Sequence, residues 1–173
     1  MIEKIIKFIL SNFSLTFLAI AFICALVSLI KKPKPLTRNV VVEAIFSYYL
    51  LFALGMSYIY NFVCHVFFSE ASAAFIGWAD SPFQLEVGFA SLGFGIVGLI
   101  AFRASLGFRA AAIIGPALFS WGAAGGHIYQ MIKAHNFAPG NAGIIFWGDI
   151  IFPLIGFILL YQQYKLEKAG IKE

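Results

Sequence analysis

Two long apolar segments joined by a short basic turn constrain this chain more than any other feature. They run from Ser81 to Gly126 (SPFQLEVGFASLGFGIVGLIAFRASLGFRAAAIIGPALFSWGAAGG). Only Glu86, Arg103 and Arg109 carry charge there, and glycine and alanine recur where a water-soluble core would carry leucine and isoleucine. Between helices immersed in lipid, close packing of small residues replaces the missing hydrophobic drive. The stretch therefore reads as a transmembrane hairpin around which the remaining helices pack.

Composition agrees. Charged residues make up 12% and hydrophobic ones 61%, with a mean hydropathy of +0.90, whereas a soluble domain carries about 25% charged residues. A membrane-crossing helix needs about 20 apolar residues. Five segments meet that length, at 8–30, 40–68, 82–102, 110–132 and 142–161. The expected fold is all-α: one integral membrane bundle over 1–173, with four core helices and a peripheral first helix. The first apolar run is too long for a signal-peptide core and no A-x-A site follows it, so it reads as a retained span.

Local signals refine the ends. Pro33 and Pro35 stop the first helix. Ser81-Pro82-Phe83-Gln84 predicts a capping box with proline at the first helical position. Gly115-Pro116 predicts a kink, and Ala138-Pro139-Gly140-Asn141 a type II turn. Glu43, near the start of the second helix, is assigned to the helix dipole and the interface. Cys24 and Cys64 fall toward opposite faces, beyond the roughly 7 Å that a disulfide bridges, and are expected to be free thiols.

The pI near 9.1 does not imply nucleic acid, because the basic residues sit at segment ends rather than on one face. With the amino terminus outside, Lys31, Lys32, Lys34, Arg38, Arg103, Arg109, Lys165, Lys168 and Lys172 lie inside, against Lys4, Lys7 and Lys133 outside. That asymmetry predicts an outside amino terminus and a cytoplasmic carboxyl terminus. The lipid bilayer is the one partner required; the Gly/Ala-rich helices would also suit a homo-oligomer.

Ionisable side chains inside spans are costly and mark candidate sites. At the helical rise, His65, Glu86, His127 and Asp149 lie about 5, 6, 9 and 12 Å below the outer ends of four helices. Asn61 shares a face with His65, and Gln130 with His127. The six are predicted to form one outward-facing polar pocket that binds or passes a small ligand, ion or proton. Glu86, Ala90 and Gly93 define the expected packed face of the third helix. Ser120, Ala123, Ala124, His127 and Gln130 do so for the fourth, with Gly122-x-x-x-Gly126 as a close-approach motif. Against this stand structural roles: Glu86 on the helix dipole, the histidines on backbone carbonyls, Asp149 in a pairing with His127.

A metal, if present, would be held by His65, Glu86, His127 and Asp149, ligands suited to zinc, manganese or iron. No local ligand pair such as H-E-x-x-H, no G-x-S-x-G and no phosphate loop occurs, so no cofactor or catalytic residue is assigned.

Three segments, Ser81–Gly95, Gly125–Met131 (GGHIYQM) and Pro139–Asp149 (PGNAGIIFWGD), resemble an uncharacterised family of small bacterial multi-pass membrane proteins. That resemblance implies a bacterial inner membrane and brings no activity. A looser resemblance, to DoxX-like four-helix membrane proteins, rests on a Gly-rich hairpin with an acid near one helix start. It implies a redox or quinone-linked accessory role. A purely structural subunit is the third reading.

Overall fold

The computed structural model describes residues 1–170, and Lys172 of the basic tail lies outside them. Eight helices follow one another among the described residues: α1 Ile2–Ser11, α2 Phe13–Ile30, α3 Arg38–Phe67, α4 Ser69–Ile76, α5 Phe83–Ala101, α6 Leu106–Ala134, α7 Pro139–Ala142 and α8 Ile144–Lys168. Five stretches are long and apolar enough to cross a membrane: α2, α3, α5, α6, and α7 with α8. They alternate in direction. One end of the bundle gathers Trp78 and the starts of α5 and α8; the other gathers Arg109 and the start of α3.

Physical reasons for the boundaries are visible. The predicted span 8–30 is broken at Asn12, whose side-chain amide donates to the Phe8 carbonyl (2.9 Å) and so competes with the helical pattern. The amphipathic α1 before it is exposed along nearly its whole length. Thr37 caps α3 by accepting from the Val40 amide (3.3 Å). Within α3, Tyr49–Met56 winds as a π-helix, a form rare in helices and frequent beside functional sites.

Four local expectations are corrected. The capping box at 81–84 is not formed: α5 starts at Phe83 without a side-chain cap, and Gln84 turns to His65 instead. The turn at 138–141 is the short helix α7, and Gly140 does not adopt the positive φ of a type II turn. Glycine is required there for space, since a Cβ would stand 2.8 Å from the Phe75 carbonyl. α6 begins at Leu106 rather than at 110, so Arg109 belongs to its first turn and not to a loop. α8 continues to Lys168, past the predicted end at 161.

α5 packs most extensively on α3, and α6 on α8. The face that α5 uses differs from the one expected. Its buried stripe is Gly88, Ser91, Gly95, Gly98, while Glu86 is exposed and Gly93 has open space. The helix is turned about half a rotation, because residues two apart lie about 200° apart on a 3.6-residue period. A Cβ on Gly98 would stand 2.8 Å from both Cα and N of Gly55. Backbone meets backbone there. Gly122-x-x-x-Gly126 makes no such contact: a Cβ on Gly122 would meet nothing within 4 Å, and one on Gly126 would meet Trp78. Gly98→Val is expected to cost about 1–3 kcal/mol by overpacking, and Gly93→Val close to nothing. Equal melting temperatures for the two variants in detergent would refute this assignment of the packed face.

The tightest packing lies toward the Arg109 end, where Phe46, Leu50, Ala101, Ala112 and Ile113 are essentially inaccessible. Beside them Arg109 is 1% exposed. Its two terminal nitrogens grip the Glu43 carboxylate at 2.6 and 2.7 Å. Further bonds run to Gln163 (3.0 Å) and to the Ala101 and Phe102 carbonyls (3.1 and 2.8 Å). All five N–H groups of the guanidinium are thereby used. Glu43 also accepts from Ser47 and Gln163. Its role is to anchor this buried pair, which corrects the dipole and interface assignment.

Candidate functional site

A cavity of about 550 Å³ opens between α2, α3, α5, α6 and α8. Its wall runs along α6 from Ile113 to His127, a length of about 21 Å at the helical rise. Volume and a mostly apolar wall with a few polar groups are those of a small-molecule site. Two helix-interior prolines, Pro116 on α6 and Pro153 on α8, face it, as do Tyr49 and Ala53 of the π segment. Tyr49 donates to the Phe152 carbonyl (2.7 Å), and Tyr58 to the Pro116 carbonyl (3.3 Å). These bonds link α3 to the two proline-bearing helices along the cavity.

Four of the six predicted site residues line the cavity: Asn61, His65, His127 and Asp149. Asn61 donates to the Ser91 hydroxyl (2.9 Å), and His65 Nδ1 pairs with Gln84 Oε1. Glu86 stands exposed on another face of α5, although Gln84 and Val87 on either side of it reach the wall. Gln130 is half-buried one turn beyond His127 and does not line the wall either. The expected set of six is thus reduced to four. The metal set is dispersed with it: no three His, Cys, Asp or Glu side chains gather among the described residues. Cys24 and Cys64 are free thiols, as expected.

His127 is 5% exposed, and its hydrogen bonds fix its chemistry. Asn141, wholly buried in α7, donates through Nδ2 to the carbonyls of His127 (3.2 Å) and Asn136 (2.9 Å). A carbonyl only accepts, so the orientation of the Asn141 amide is determined, and its Oδ1 must be an acceptor. That oxygen receives the Trp78 indole N–H (2.8 Å) and faces His127 Nδ1 (2.8 Å). His127 therefore carries its proton on Nδ1. In the neutral ring Nε2 is then a bare lone pair. It points toward Asp149, with Oδ2 at 3.6 Å, too far for a direct hydrogen bond.

Several residues of this site escape sequence reading. Asn141 looks like a turn former and Trp78 like an interfacial anchor. Trp78 in fact packs on the His127 ring at 5.4 Å between centroids. Ser120, bonded to Tyr58 (2.9 Å), and Ser14 also line the wall, and the buried Ser14 Oγ has no hydrogen-bond partner. Their only sequence signal is the polar stripe on α6 that includes Ser120 and His127.

No curated protein and no solved structure matches the chain. A family model described as a family of unknown function (DUF6790) matches residues 11–169, and the chain belongs to that family.

Proposed function

We propose that this protein binds a small, largely apolar molecule carrying one polar group, inside a membrane, with that group at the His127–Asp149 wall. The observation that carries this reading is the bare Nε2 of His127 facing Asp149 on the side of a 550 Å³ apolar cavity. Binding is favoured over passage. Toward the Arg109 end the way on is filled by the Phe46, Leu50, Ala112 and Ile113 packing and closed by the Arg109–Glu43 pair. The asymmetry of basic residues supports an inner-membrane setting in which the Trp78 end faces outward. The DoxX-like alternative drew on an acid near a helix start, and Glu86 stands away from the cavity.

Trp78 on the wall serves as reporter in a Trp121→Phe/Trp147→Phe protein held in phosphatidylcholine nanodiscs. Decylammonium or 1-decanol, titrated below micellar concentration, is expected to change Trp78 emission saturably. Filling the wall with Ala117→Phe, or with the milder Ala123→Leu, should weaken that response at least tenfold. Responses that rise without saturation for both probes, or that ignore both substitutions, would refute ligand binding at this site.

A further inference from the structure

The geometry points to a protonated alkylamine, a linear lipophilic monocation, as the class of molecule that this cavity takes. This rests on the ligand-binding reading above and adds the identity of the polar group.

The wall carries one carboxylate, Asp149, and no lysine, arginine or second acid among the described residues. Beside the Asp149 carboxyl stand the Ser120 hydroxyl and, 3.6 Å off, His127 Nε2, and neither is a permanent cation. An intramembrane acid whose basic neighbour is a neutral imidazole is expensive and is normally balanced by a cation. A cation supplied by the ligand balances it, and an anionic headgroup aggravates the cost. His127 selects further. With its proton held on Nδ1 by Asn141, Nε2 offers a lone pair beside the carboxylate. Two acceptors side by side suit a group with several N–H donors, which an ammonium has and a quaternary amine lacks.

Aromatic rings complete the match. Trp78, Tyr58, Phe119 and Phe152 all face the cavity, and ring faces attract ammonium groups most strongly when water is excluded. The wall's length, about 21 Å along α6, suits an extended chain better than a compact polycycle.

Three probes with the same ten-carbon chain and different heads separate this inference from the reading it rests on: decylammonium, 1-decanol and decyl sulfate, measured with the Trp78 reporter in nanodiscs. Decylammonium is expected to bind at least tenfold tighter than 1-decanol, and decyl sulfate to give no saturable response. Asp149→Asn should bring decylammonium and 1-decanol to within about twofold of each other. Glu86→Gln, on the exposed face, should change neither. Equal affinity for all three heads in the unsubstituted protein, or a preference for ammonium that survives Asp149→Asn, overturns the cation inference while the cavity still binds. The head-group comparison needs no substitution, so a failure of Asp149→Asn to fold leaves the test decisive. Absence of saturable binding by any probe removes the underlying reading as well.

Discussion

Arg109→Met is expected to destabilise the bundle by about 2–4 kcal/mol, below the range for a fully buried ion pair because the Glu43 side chain is 30% exposed. The loss extends beyond a single contact. Glu43 would keep a carboxylate held only by Ser47 and Gln163, the Phe102 carbonyl would lose the arginine donor, and the Ala101 carbonyl would keep only the Ala104 amide (3.3 Å). Those carbonyls lie where α5 ends, among the last groups without a partner inside the helix. Arg109 thus does two jobs, neutralising an acid and completing a helix end. Arg109→Lys should recover only part of the loss, because an ammonium has no planar fork to serve the bidentate carboxylate and both carbonyls. The double variant Arg109→Met/Glu43→Leu should be more stable than Arg109→Met alone, since it removes the stranded charge. Unfolding in mixed micelles, followed by circular dichroism, measures all three. A single Arg109→Met variant that melts with the unsubstituted protein would show that the pair is ornamental.

The second large effect falls at the opposite end. Asn141→Leu removes an amide that holds four partners: two carbonyls, the Trp78 indole and His127 Nδ1. With about 1–3 kcal/mol for each buried group left unpaired, and Trp78 partly exposed, a loss of about 3 kcal/mol or more is expected. Asn141→Asp separates the site's chemistry from its packing. It keeps the size and an acceptor for Nδ1, yet sets carboxylate oxygen against the two carbonyls. Nitrogen-15 spectra of His127 are expected to show the Nδ1–H form in the unsubstituted protein and a mixture of tautomers in Asn141→Leu. Finding the proton on Nε2 in the unsubstituted protein would contradict the orientation derived for the Asn141 amide.

What the sequence made legible follows from which forces act locally. Span lengths are set by hydrocarbon thickness, so five apolar runs stand out, and α5 lies within a residue of its predicted ends. Which face of a helix packs is another matter. α5 carries small residues nearly all round, and the stripe Glu86, Ala90, Gly93 reads as well as Gly88, Ser91, Gly95, Gly98; only the steric match of Gly98 to Gly55 decides between them. Glu86 was misplaced for that reason. His127 and Asp149 were found because an ionisable group in an apolar run is conspicuous whatever its partners are. Glu43 and Arg109 each have a sufficient local explanation, a helix start and a basic turn, while their pairing joins positions far apart in the chain. Gln84 likewise fits a local cap, while its partner, His65, belongs to another helix.

The backbone contact of Gly55 with Gly98 has a mechanical consequence. It rivets the middle of α3 to the last turn of α5, whereas α6 is tied chiefly to α8 and only thinly to α5. The two pairs are joined at both ends, by Arg109–Glu43 at one and by Trp78–Asn141 and Asn136–Ile76 at the other, and the cavity lies between them. Held at both ends, the cavity is crossed along its flank by the Tyr49 and Tyr58 hydroxyls, which tie α3 to the two proline-bearing helices at the Phe152 and Pro116 carbonyls.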